Sequence, residues 1–344
     1  MRNKASPVSA GSPEASSPAA RPRKPQKENL ARRKITRIGS KAAPYIFIAP
    51  NFLGFAAFTL LPVLFSVFLS FTEWKAVGTP EWIGLENFSE LTRDANFLAA
   101  LRNTAVYTVL TVPLTVVASL SLAMLLNTKI FARNFFRSLS FLPYISSVVA
   151  MAAVWRVFFS TAFGPLNKTM LDVCNWLGGL LGNQAMIEAT LKDMPQWGRD
   201  FWPVMIFSVL FTVWKNMGYY MVIFLAGLQG VNRDLHESAA IDGANKWQRF
   251  RYITMSQLAP TTSFVMIMVT ISSFKAYDIF INLFGGNDGT LSKNTYVIVQ
   301  QILWTSFRGS LRYGYASAMA MVLFVIVLIV TFFQFRVTKN YSVD

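Results

Sequence analysis

Six stretches of this 344-residue chain are apolar enough, for long enough, to cross a bilayer: 45–71, 104–126, 139–159, 202–228, 262–284 and 315–335. A crossing takes roughly 20 apolar residues, and lipid offers the backbone no hydrogen-bond partner, so such stretches must be helical or pair into a closed barrel. Continuous runs of this length are helices. The rest of the composition agrees, with 53% hydrophobic residues, 30 Phe and only 14% charged residues. The expectation is an all-α membrane protein of six transmembrane helices. A shorter run, 170–181, carries Asp172 and the pair Gly178-Gly179 and is expected at the outer interface.

The net charge of +15 suggests a nucleic-acid partner only until the cations are placed on the chain. Residues 1–44 hold 11 Lys/Arg against Glu14 and Glu28, in a setting of Ser, Pro and Ala that cannot bury enough surface to order itself. Residues 1–43 are therefore read as a disordered basic tail, without the short apolar core of a secretory signal. Alternate connections then decide orientation. The tail, 127–138, 229–261 and the C-terminus carry 20 Lys/Arg, whereas the other loops carry nine in longer segments mixed with acids. By the positive-inside rule both termini face the cytosol. No nucleic-acid partner is expected.

Other chemistries lack their residues. Cys174 is the single cysteine and His236 the single histidine, so no intrachain disulfide and no Cys/His metal cluster is available, and no cofactor is expected. An intramembrane enzyme would need more than His236 beside Glu237, since adjacent helical residues point apart and no nucleophile lies nearby. A channel or ion-coupled carrier would need acids or a carbonyl filter within the spans. No phosphate-binding G-x-x-x-x-G-K-[ST] occurs; Gly39-Ser40-Lys41 continues into Ala42. The chain is expected to hydrolyse no ATP itself.

The connection 229–261 reads as two short helices about a Gly turn. Asp234 is positioned to cap the first helix, with Glu237 three residues on and the small pair Ala239-Ala240 leaving room for another surface. Gly243 permits the turn. Trp247, Phe250 and Ile253, three apart, supply the second helix with an apolar face toward the membrane-proximal body. A plain amphipathic loop resting on the inner leaflet is the alternative.

Glu237, Ala239, Gly243 and Ile253 stand in the register of Glu-Ala-Ala, three residues, Gly, nine residues, Ile, one residue, Leu-Pro, with Ser238 for the first Ala and Met255-Ser256 for Leu-Pro. In this the sequence resembles the permease subunits of binding-protein-dependent ABC importers. FFRSLSFLPYISSVVAMAAVWRVFF and FKAYDIFINLFGG are similar to the third and fifth spans of the carbohydrate-uptake branch, and matching pieces run from about 44 to 337. The resemblance implies the type I permease fold over 44–338 in a bacterial inner membrane. It also implies a coupling helix within 229–261 that docks on an ATPase subunit through Glu237, Ser238, Ala239, Ala240, Asp242, Gly243 and Phe250. The implied partners are a second homologous permease, two ATP-binding cassette subunits, an external solute-binding protein and a sugar or oligosaccharide; an anionic saccharide or a sugar or glycerol phosphate is the alternative solute. Pro260 is the remaining proline that can help bend the chain after Ile253.

Polar groups inside spans are costly and line cavities or join helices. Spans four and five offer Asn216, Tyr219 and Tyr220, and Ser273, Tyr277 and Asp278, as candidates to meet sugar hydroxyls and ring faces. Lys215 and Lys275 either serve an acidic solute or, as the more economical reading, snorkel or pair with Asp278.

Overall fold

A computed structural model describes residues 44–128, 130–160, 164–181, 197–285, 293–309 and 311–339; the tail 1–43 lies outside them. The chain forms two units, one ending at Pro62 and one beginning at Val63. Helix α1 runs Pro44–Leu69, and its side chains up to Leu61 are nearly all exposed. Within it Ala56–Leu60 is π-helical, the Leu61 N–H donating to the Ala56 carbonyl. Pro62 follows at once. Proline lacks an N–H and crowds the carbonyl four residues back, and a widened turn accommodates both effects.

From Val63 onward, two short antiparallel strands, β1 Thr72–Glu73 and β2 Glu81–Trp82, precede α2 Glu86–Leu91 and α3 Ala95–Asn127. Then come α4 Arg133–Ile145, α5 Val148–Phe158, α6 Pro165–Leu181 and α7 Phe201–Gln229. The remainder is α8 Arg233–Ile241, α9 Lys246–Gln257, α10 Ala259–Phe274, α11 Asp278–Phe284, α12 Ile298–Leu303 with a π turn Trp304–Arg308, and α13 Tyr313–Lys339. The stretch expected at the outer interface, 170–181, is the C-terminal part of α6.

The long helices α3 and α7 form the central pair. Along α3, Thr104, Thr108, Thr111, Thr115 and Ser119 recur at helical spacing and are all buried. Lipid is as apolar as a leucine side chain, so helices associate in a bilayer by close fit and shared hydrogen bonds rather than by escape from water. Small hydroxyl residues allow that approach, and the Tyr107 hydroxyl bonds the Thr212 hydroxyl across the pair at 2.8 Å. Further along, Leu120, Ala123 and Leu126 pack with Met221, Phe224 and Leu225 of α7 and with Val265 and Val269 of α10.

The N-terminal end of α3 is fastened by polar groups from distant parts of the chain. Asp94 caps α3 through the N–H groups of Asn96 and Phe97, and accepts from the Tyr315 hydroxyl at 2.8 Å. Asn103 donates to the carbonyls of Lys293 and Tyr296 at 2.9 and 2.8 Å. Arg312 grips Glu90 with two bonds of 2.6 Å, which holds the Glu90 carboxyl below its ordinary range. Gly314 lies so close to the Thr72 carbonyl that a Cβ there would overlap it.

Three expectations are corrected. The third span, 139–159, is not one helix: α4 and α5 meet at 95° across Ser146-Ser147. Pro143 weakens the last turn of α4, and Ser146 turns to extended geometry. The fifth span, 262–284, stops at Phe274 and resumes as α11. Ser272 bonds back to the Val269 carbonyl, and Asp278 favours a fresh helix N-terminus. The first helix of the 229–261 segment is capped by Asn232, not Asp234. The Asn232 backbone is extended, and its side chain accepts from the Asp234 N–H at 2.9 Å. Among the described residues, four helices are long and apolar enough to cross a membrane, six if each of two bent pairs counts as one.

Candidate functional site

The bend between α4 and α5 is where the residues from span four converge. Lys215 donates to the carbonyls of Pro143, Tyr144 and Ser146 at 3.3, 3.0 and 3.5 Å. The last carbonyls of any helix lack internal partners and carry its negative pole, so an ammonium group is a suitable cap. Lys215 thus forms no ion pair with Asp278 among the described residues. Three residues on, Gly218 lets the α4 backbone cross: a Cβ there would overlap the Ser140 carbonyl. Tyr219 then stacks on Tyr144, centroids 4.4 Å apart and planes 13° from parallel, and Tyr220 meets Tyr219 edge-on at 5.0 Å. Asn216 and Tyr219 are half-buried, whereas Tyr220 is 6% exposed and belongs to the core with Met221 and Phe224.

The candidates from span five divide between the end of α10 and the start of α11. Ser273 is buried, Tyr277 half-buried, and Lys275 and Asp278 are exposed. The expected Lys275–Asp278 pair does not form among the described ion pairs; α10 ends at Phe274, Lys275 is its C-cap, and Asp278 opens the next helix, so the two residues do not share a helix. Tyr144 and Gly218 went unrecognised in the sequence. A lone glycine within an apolar helix was the available signal for one of them, and nothing local marked the other.

The second candidate region is the α8–α9 hairpin. Gly243 has φ +80°, the Gly243 N–H bonds the Ala240 carbonyl, and the Ala244 N–H bonds the Ala239 carbonyl at 2.8 Å. That is the Schellman closure, which needs a left-handed residue and so favours glycine. Asn245 and Gln248 then form a capping box, each side chain accepting from the other's backbone N–H at 2.8 Å. Glu237, Ser238, Ala240, Asp242 and Gly243 are exposed, while Ala239 and Phe250 are half-buried. Trp247, expected to face the body of the protein, is 69% exposed, and Ile241 is 87% exposed. The bend after Ile253 lies at Leu258, where α9 and α10 meet at 67° with Pro260 in the first turn of α10. Proline is well tolerated there, since its missing N–H would have had no helical partner.

These features define a multi-span helical membrane protein with broken spans and a projecting helical hairpin. The chain belongs to the family of binding-protein-dependent transport system inner membrane components, whose model matches residues 97–343. It is 32% identical over 302 residues to the probable starch degradation products transport system permease protein AmyD of Thermoanaerobacterium thermosulfurigenes, covering 87% of this chain and 95% of that one. It is 30% identical over 297 residues to the lactose transport system permease protein LacF of Rhizobium radiobacter, covering 86% and 94%. A chain in the structure of a bacterial ABC transporter involved in the import of the acidic polysaccharide alginate matches with a TM-score of 0.70, covering 90% of this chain and 100% of that one. At 21% identity that likeness speaks for the fold alone.

Proposed function

We propose that this chain is the membrane-spanning subunit of an ATP-driven importer that passes a neutral sugar or oligosaccharide handed over by an external solute-binding protein. The observation that carries the reading is the α8–α9 hairpin. It is closed by its own local bonds and presents Glu237, Ser238, Ala240, Asp242 and Gly243 outward, together with exposed Ile241 and Trp247. Exposed apolar side chains among charges are what a protein partner covers. The partner is a nucleotide-hydrolysing subunit, one of two, since the chain carries no phosphate-binding loop of its own. A second, homologous permease completes the membrane part, and both termini face the cytosol. ATP-driven closure of the two hydrolysing subunits moves the hairpins, and the bent spans change the side from which the path is open.

The saccharide class is supported by the solutes in the relatives' names and by Lys215. Its ammonium group is taken up by three backbone carbonyls. Its charge is therefore spent on the α4 terminus and is not offered to an anion, which favours a neutral solute over a phosphate or an acidic sugar. The test is reconstitution of the chain with its partner subunits in proteoliposomes, followed by ATP-dependent uptake of maltotriose, lactose and glycerol 3-phosphate. Uptake of a saccharide that requires the binding protein is expected. Uptake of glycerol 3-phosphate alone would overturn the neutral-saccharide assignment, and no uptake of any of the three would overturn saccharide import.

A further inference from the structure

We infer that a small cavity between α11 and α12 is a subsite for one neutral pyranose ring; this rests on the saccharide reading above. The cavity has a volume of about 140 Å³ and is lined by Tyr277, Gln300, Trp304, Phe307 and Arg308 with two aliphatic residues. Drug-sized ligands occupy pockets of roughly 300–1,000 Å³, so this one holds a single ring and not a whole oligosaccharide.

Gln300 is the informative residue. It is 4% exposed, yet its Oε1 is buried without a hydrogen-bond partner among the described residues. Buried acceptors are almost always satisfied, so an orphan lining a cavity marks the place where a donor from outside arrives. An acceptor there disfavours a carboxylate or phosphate and would be wasted on an acyl chain, but suits a hydroxyl.

The walls fit the same ligand. Three aromatic side chains, Tyr277, Trp304 and Phe307, line the cavity. Aromatic faces carry partial negative charge and attract the C–H faces of a sugar ring. Gly309 leaves room for the Trp304 indole, since a Cβ there would come within 3.2 Å of it. Phe307 is 64% exposed, its ring meeting Tyr313 edge-on at 5.9 Å. Arg308 also lines the cavity. Of these residues only Tyr277 was among the sequence-based candidates.

The test uses the assembled importer in lipid nanodiscs, with maltotriose and lactose as probes read by saturation-transfer NMR on their ring protons. Gln300→Leu and Trp304→Ala should each weaken binding of the preferred saccharide about tenfold, as loss of one buried hydrogen bond or stacking wall requires. Trp304→Phe, which keeps an aromatic wall, should lose much less and controls for damage to the fold. If the unsubstituted complex binds and transports a saccharide and the variants bind it equally well, the subsite is wrong while the import reading stands. If the unsubstituted complex binds and transports neither saccharide, the import reading fails and takes the subsite with it. Weakened docking of the solute-binding protein with unchanged sugar binding would assign the cavity to that protein and overturn the inference.

Discussion

The N-terminal end of α3 and the α8–α9 hairpin beyond the C-terminal end of α7 are held together in opposite ways. At the first, Asn103, Asp94 and Glu90 reach partners some 190 to 222 residues away in sequence. At the second, the bonds are local: a Schellman turn, a capping box and an Asn cap. One longer side-chain link, His236 to Thr254 at 3.3 Å, joins the two helices of the hairpin to each other. The difference teaches where motion belongs. On the coupling role proposed above, an element that transmits force should be rigid within itself, as the local bonds of the hairpin make it, while the opposite end of the α3–α7 pair is fastened across the chain.

The sharpest contrast comes from one substitution type at two glycines. Gly314→Ala drives a Cβ into the Thr72 backbone, and overpacking of this kind costs about 3 kcal/mol; thermal unfolding in detergent should show a large fall in melting temperature or loss of the folded chain. Gly243→Ala meets open space and suffers only from φ +80°, so the cost is about 1 kcal/mol and falls on the hairpin. Equal losses at both sites would erase the distinction between the two regions. Next in size is Asn103→Leu, which strands two carbonyls in a site 2% exposed. About 2 kcal/mol of stability should be lost, seen as a lower melting temperature and faster hydrogen exchange around 293–296.

The smallest effect is a pH dependence. Glu90 has its carboxyl pKa lowered by the hydrogen bonds from Arg312, against desolvation that opposes the shift. A lowered carboxyl pKa contributes stability above the ordinary value of 4.5, and this is lost as pH falls through the folded-state value. Both side chains are partly exposed, so the contribution is no more than about 0.5 kcal/mol. Melting temperature should therefore respond to Arg312→Met at pH 7 and lose that response below pH 4.5; the same response across the whole range would remove Glu90 from the clamp.

Legibility followed the range of the interactions. The spans could be read because a bilayer imposes length and apolarity on each one separately, and the hairpin because Gly243 sits where a left-handed residue is required. The bends could not. Pro143 is a local hint, but the cap that completes the α4 terminus comes from Lys215, 72 residues away. Asn232 and Asp234 are both good caps two residues apart, and local pattern does not choose between them. Gln300 and Trp304 gain meaning only from Tyr277, which the fold brings to the same cavity.

The central claim is that the hairpin, and not the body beneath it, takes up the work of the hydrolysing subunits. Glu237→Lys tests it most directly, because Glu237 is exposed and joins no ion pair among the described residues, so its reversal should leave the fold intact. The measurement is saccharide-stimulated ATP hydrolysis by the purified complex, alongside the amount of ATPase subunit retained. Loss of a docking contact costs about 2 to 4 kcal/mol, so the ATPase subunits should dissociate, or stay bound and hydrolyse ATP without responding to solute. An intact complex with undiminished stimulation would contradict the account.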